Sequence, residues 1–235
     1  MMRKLFPFCY FILLLGMYSC NESLEPTDTS CDASGFYPLN LGYFISYEVT
    51  EIQHSELGED DTLKYQIKEV LADTFTDLSA QRAYRLERFS RADASADWQL
   101  DSIWAVRDEG LRLVKVESNV PFVKLICPLV EENSWDGNLF NNLAEQTYVV
   151  QDLQQSFQLD DELFDHSVTV IQKADTVSIL NRDYRVEVFA KDIGLIYKKN
   201  EIFRFCDDFD DPCFGQDSVI GGTFYEQKLL DFGQE

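Results

Sequence analysis

The chain has 235 residues, 42 of them Asp or Glu and 20 Lys or Arg, for a formal net charge of −22. So acidic a surface repels phosphate backbones and anionic lipid head groups, which excludes nucleic acid and an anionic bilayer face as partners. The length is enough to bury a single sizeable core, and no Gly/Pro/Ser-rich linker divides it.

The first element is a leader. Met1-Met2-Arg3-Lys4 is basic, and the apolar run from Leu5 to Gly16, interrupted by Pro7, Cys9 and Tyr10, is shorter than the roughly 20 residues a membrane-spanning helix needs. It is apolar on every face, unlike an amphipathic core helix, and reads as a secretory signal over residues 1–19. Leu13-Leu14-Leu15-Gly16-Met17-Tyr18-Ser19-Cys20 resembles the lipobox of bacterial lipoproteins, with Tyr18 as its departure. Cys20 then becomes the acylated first residue. Several acyl chains, at about 0.8 kcal/mol per buried CH2, make a stable anchor. Removal of the leader takes away Arg3 and Lys4, so the mature chain is two units more negative. Residues 20–35, with Asn21-Glu22-Ser23-Leu24-Glu25-Pro26-Thr27-Asp28-Thr29-Ser30, read as the lipidated cysteine and a flexible tether.

From residue 36 to 235 the dominant signal is period-two alternation rich in Tyr, Phe, Val, Ile and Trp. It runs through YFISYEVTEI from Tyr43, TLKYQIKEVLAD from Thr62, RAYRLERFSR from Arg82, WQLDSIWAVR from Trp98, LRLVKVES from Leu111 and PFVKLIC from Pro121. It resumes in QTYVVQDL from Gln146, SVTVIQKAD from Ser167, YRVEVFAK from Tyr184, GLIYKKNEIFRF from Gly194 and SVIGGTFYEQKLL from Ser218. Turn chemistry separates the runs, as at Gly58-Glu59-Asp60-Asp61 and Asp108-Glu109-Gly110. Ten or so strands in meander order predict an all-β, mainly antiparallel domain, its sheet curled into a barrel, half-barrel or sandwich. GNLFNNLAEQ from Gly137 is the one stretch with helical character, and Gly221-Gly222 marks a bulge or bend in the last strand. FYPLNLGYFISYEV and LICPLVEENSWDGN share an apolar, Pro-Leu, aromatic pattern that suggests a duplicated β unit.

An exported chain meets oxidising conditions. With Cys9 lost and Cys20 acylated, Cys206 and Cys213 bracket a short loop that a disulfide closes. Cys31 and Cys127 form the leftover pair, with a buried free thiol at Cys127 as the alternative. The loop holds Asp207, Asp208, Asp210 and Asp211, weak calcium candidates, because EF-hand spacing fails there and an acidic turn accounts for them. His54 and His166 are the sole histidines and no Gly-x-Ser-x-Gly or zinc spacing occurs, so no catalytic or metal constellation and no cofactor is expected. Asp followed by Ser or Thr and an aliphatic residue recurs at Asp61-Thr62-Leu63, Asp101-Ser102-Ile103, Asp175-Thr176-Val177 and Asp217-Ser218-Val219. This makes Thr62, Ser102, Thr176 and Ser218 candidate O-glycan acceptors, although the same pattern also starts strands after turns.

The elements FYPLNLGYFISYEV, YQIKEVLADTFTDLSAQRAYRLERFSR, WQLDSIWAVR, VPFVKLICPLVEENSWDGNLFN, VTVIQ and VEVFAKDIGLIYKK together resemble a group of uncharacterised lipoproteins from the Bacteroidota. The resemblance implies an architecture and an address, the outer membrane on its periplasmic or external face, and brings no activity with it. The expected role is a non-enzymatic, membrane-anchored binding or assembly module, with a lipid, glycan or envelope protein as partner. A hydrophobic ligand is expected if the concave face is apolar. The alternatives are a hydrolase using carboxylates of the acidic loops and an adhesin or scaffold using Trp98, Trp104 and Trp135, although tryptophans in alternating strands more often belong to the core.

Overall fold

The computed structural model describes residues 35–56 and 58–235; the leader, Cys20 and Cys31 lie outside them. Twelve antiparallel strands form one sheet: β1 (Tyr43–His54), β2 (Asp61–Thr76), β3 (Arg82–Arg91), β4 (Gln99–Asp108), β5 (Arg112–Glu117), β6 (Val120–Ile126), β7 (Ser134–Asp136), β8 (Thr147–Leu159), β9 (Glu162–Asp175), β10 (Asn181–Ala190), β11 (Gly194–Phe205) and β12 (Val219–Gln234). Their spatial order is β6-β5-β4-β3-β2-β1-β12-β11-β10-β9-β8-β7. Every strand pairs with its sequence neighbours except at the β6–β7 step, and β1 pairs with β12, so the sheet curls into a nearly closed barrel whose free edges are β6 and β7. Of the architectures the alternation allowed, the barrel is the one formed.

The free edges meet at a seam. Val123 N–H on β6 donates to the Gly137 carbonyl at 2.9 Å, and the Trp135 indole N–H of β7 donates to the Val123 carbonyl at 2.8 Å. Gly137 is required there by space: a Cβ would lie 2.3 Å from the Tyr148 ring. Gly137→Ala is therefore expected to cost about 1–3 kcal/mol in chemical denaturation, the typical penalty for overpacking a filled site. An unchanged midpoint would show that the seam gives way freely.

The expected helix at residues 137–146 does not form; the segment is a run of turns. Side chains cap its backbone in non-helical ways. Asp136 Oδ1 accepts from Asn138 N and Gln146 N, Asn138 Nδ2 donates to the Ala144 carbonyl, and Asn141 Oδ1 accepts from Leu143 N. Such local bonds are the reason Asn and Asp compete with helix.

Alternate residues of nearly every strand converge in the interior, among them Tyr47, Val49, Ile67, Leu86, Val106, Leu125, Val150, Val168, Val170 and Phe189. A second apolar layer lies outside the sheet. Leu159, Phe164 and Phe157 from the β8–β9 hairpin cover Val186, Val188 and Tyr197, and Asp160 at the hairpin tip reaches Lys228 of β12 at 3.0 Å. β8 can bend over because its pairing with β9 breaks at Asp152–Gln154. There Asp152 and Gln154 take φ of 51° and 61°, and the Glu131 carboxylate accepts from the Asp152 and Leu153 amides.

The expected irregularity at Gly221-Gly222 is present. The β11–β12 register shifts between Arg204 and Phe205, and Gly222 sits at φ 120° with the Ile202 carbonyl where a Cβ would be. The two echoing segments each precede the first strand of a six-strand half, Pro38-Leu39 before β1 and Pro128-Leu129 before β7.

Candidate functional site

The two ends of the barrel differ. At one, residues 36–39 fold in as a floor: Phe36 is buried in the core, Leu39 and Tyr37 pack against it, Tyr43 OH donates to the Ile193 carbonyl at 2.7 Å, and Asp192 N–H donates to the Gly35 carbonyl. Burial, reinforced by the nearby Glu69 carboxylate, pushes the Tyr47 phenol well above its ordinary pKa, so it is neutral in the floor. At the other end an open cleft of about 750 Å³ lies beneath the β3–β4 connection, lined by Tyr65, Arg88, Arg91, Gln99 and Asp101.

Behind that cleft is a cavity of about 190 Å³, and Tyr65 and Arg88 are walls of both. Its other walls are mostly charged or aromatic, Glu69, Trp104, Lys115, Glu117, Glu187, Lys198 and Tyr225, completed by Gln227 and one aliphatic residue, Leu195. The interior space is thus polar. The apolar concave face on which a hydrophobic ligand was expected is instead filled with side chains.

The charged side chains form one chain of ion pairs. Lys115 Nζ holds both oxygens of Glu69, at 2.8 and 3.0 Å, and lies 4.0 Å from Glu117. Lys124 Nζ lies 3.2 Å from Glu117 and 2.7 Å from Glu187, and Lys198 Nζ lies 3.2 Å from the same Glu187 oxygen. Arg88 ends the chain, 4.0 Å from Glu69 and stacked over the Trp104 ring at 4.7 Å, whose other neighbour is Lys115 Nζ at 4.9 Å.

Strand geometry explains how these groups come inside. Glu69 shares the inward face with Ile67 and Leu71, and Glu187 with Phe189, two residues away along the pleat. Lys124 is turned in by a bulge: Leu113 pairs with Leu125 and Val114 with Val123, so Lys124 has no partner in the ladder.

Burial alone would raise the carboxylate pKa values of Glu117 and Glu187, but the ammonium groups of Lys124 and Lys198 outweigh it and hold both below the ordinary range. Burial likewise opposes the charge on Lys124, and Glu117 and Glu187 overcome it, raising its pKa well above that of a free lysine. At neutral pH Glu117, Glu187 and Lys124 are therefore all ionised.

Three atoms at this cavity lack a hydrogen-bond partner although they are buried: Arg88 Nε, Trp104 Nε1 and Glu187 Oε2. Glu187 is 1% exposed. Such atoms are uncommon in a folded protein, and an ordered water or a bound group is the ordinary way to satisfy them.

The residues singled out in the sequence lie elsewhere. Cys206 and Cys213 are disulfide-bonded, with Cα atoms 5.9 Å apart, and Cys127 is also held in a disulfide, which removes the free-thiol alternative. Asp207, Asp208, Asp210 and Asp211 stay exposed. Asp208 and Asp211 accept from the backbone of their own loop, and among the described residues the four do not converge on one point. His54 bonds Asp60 at 2.7 Å and packs edge-on to Phe203, while His166 is exposed on β9. Thr62, Ser102, Thr176 and Ser218 all lie toward the open end, at the starts of β2, β4 and β12 and after β9. Of the tryptophans, Trp104 faces the cavity, Trp135 closes the seam, and Trp98 lies at the surface between Arg91 and Lys68.

No protein-family model and no curated protein matches the chain. Two solved structures resemble it. One is a protein from Bacteroides fragilis, inferred to be exported and described as having a YmcC-like fold, at TM-score 0.44 and 10% identity, covering 83% of this chain and 97% of that one. The other, from Parabacteroides distasonis and inferred to be a lipoprotein, aligns at TM-score 0.43 and 8% identity, over 86% of this chain and 99% of the other.

Proposed function

We propose that the chain is a cell-envelope lipoprotein, anchored through Cys20, whose barrel serves as a non-catalytic receptor for a small polar ligand. The observation that carries this reading is the charged interior cavity, which shares the walls Tyr65 and Arg88 with an open cleft and whose lining holds three buried polar atoms without a hydrogen-bond partner. Its size sits below the roughly 300–1,000 Å³ of sites that enclose drug-sized molecules, which favours a compact ligand. Binding is favoured over hydrolysis by the state of two cavity carboxylates. A general acid must hold its proton near neutral pH, whereas Glu117 and Glu187 are kept ionised by their lysines.

The test is a thermal-shift screen of the full chain in detergent against small polar metabolites. A ligand at a hundred times its Kd stabilises by about 2.7 kcal/mol, which for a chain of this size raises Tm by roughly 5–10 °C. At least one compound is expected to give such a shift, and Trp104→Phe to diminish it. A flat screen, or shifts indifferent to Trp104, would overturn the receptor. Cys20→Ser is expected to move the chain from the membrane fraction to the soluble one; retention in the membrane would remove the anchor.

A further inference from the structure

Resting on the receptor reading, we infer that the cavity binds a small hydroxylated carboxylate, its carboxylate on Arg88 and Trp104 and a hydroxyl donated to Glu187. The sign of the charge comes from the ion-pair cluster. The walls Arg88, Lys115 and Lys198 balance Glu69, Glu117 and Glu187, and Lys124, paired to Glu117 and Glu187 without lining the cavity, leaves the cluster one excess positive charge inside a chain of net charge −22. Lys115 and Lys124 each sit within 3.0 Å of a carboxylate oxygen, whereas Arg88 stays 4.0 Å from its nearest one. The uncommitted cation is therefore Arg88, at the boundary between cleft and cavity.

Two unpartnered donors, Arg88 Nε and Trp104 Nε1, call for an acceptor, and a guanidinium beside an indole N–H suits a carboxylate. The third unpartnered atom, Glu187 Oε2, is an acceptor and calls for a donor. That donor is better neutral than cationic, because Lys124 and Lys198 already contact the other Glu187 oxygen and would repel a third ammonium. A free amino acid fits this poorly and a hydroxyl fits it well. Tyr65, Trp104 and Tyr225 supply flat apolar surface for the carbon skeleton. Glucuronate embodies all of these features, glucose lacks the charge, and inorganic phosphate lacks the skeleton.

Isothermal titration calorimetry of the full chain in detergent with these three probes tests the inference. Glucuronate is expected to saturate a single site, with glucose and phosphate each at least about tenfold weaker, equivalent to about 1.4 kcal/mol. Arg88→Gln and Trp104→Phe are each expected to weaken glucuronate about tenfold while the unliganded Tm holds. Phosphate binding as tightly as glucuronate would make this a bare anion site and overturn the assignment, as would glucuronate binding unaffected by either substitution. If no probe binds while the thermal-shift screen yields a Trp104-dependent ligand, the ligand class fails and the receptor stands. If both come up empty, both fall.

Discussion

Lys124→Met is expected to lower unfolding stability by about 3–5 kcal/mol, because it strips a buried cation from the buried Glu187 and the partly buried Glu117 at once. The side chain is 5% exposed and its Nζ lies 2.7 Å from Glu187 and 3.2 Å from Glu117. Methionine fills nearly the same volume, so the loss is electrostatic rather than a cavity. Glu187 keeps Lys198, and Glu117 keeps Lys115 at 4.0 Å. The double substitution Lys124→Met with Glu187→Leu is expected to recover part of the loss, since exchanging a buried ion pair for apolar groups is often neutral or better. Urea denaturation of the wild type, both single variants and the double variant measures this coupling. A Lys124→Met protein within about 1 kcal/mol of wild type would mean that water enters the cluster and screens it.

Acid is expected to unfold the protein through the same cluster. Glu117 and Glu187 titrate lower in the folded barrel than the unfolded carboxylate value of about 4.3, so unfolding takes up protons as the pH drops below that value. Their contribution is complete above pH 4.3 and is lost as pH falls through the folded-state values, at up to about 1.4 kcal/mol per pH unit for each group. Lys124 acts at the other limit. Its raised pKa means that its contribution is complete below the ordinary lysine value and fades only as pH rises beyond it. Between pH 7 and about 4.3 this cluster should therefore leave the denaturation midpoint level, and from there down to pH 3 the midpoint should fall steeply for wild type and more shallowly for the Lys124→Met, Glu187→Leu double variant. Parallel curves would assign the acid sensitivity to other carboxylates.

The strands were legible because alternation is a property of the local chain. RAYRLERFSR and GLIYKKNEIFRF coincide with β3 and β11, and the remaining long strands differ from the expected runs mainly at their ends. β7, three residues long, carries too little alternation to be seen, and its existence depends on the seam with β6. The cavity was hidden for a different reason. In YRVEVFAK the alternation marks Val186 and Val188 as inward and Glu187 as outward, yet both faces are covered: the valines by the β8–β9 hairpin and Glu187 by the barrel. Lys124 could not be placed at all, since nothing in PFVKLIC announces a bulge. Glu69 did leave a trace. It stands between Ile67 and Leu71 on one face of its strand, where alternation calls for an apolar residue, and a charge at such a position marks a buried partner.

The placement of Gly35 has a directional consequence. Its carbonyl is tied to Asp192 at the floored end, so whatever precedes it departs from there, opposite the cleft. A lipid joined upstream would hang the molecule by its base, as a cup stands on a table, with its opening turned away from the bilayer. Solutes would then reach the interior from the aqueous phase rather than from the lipid.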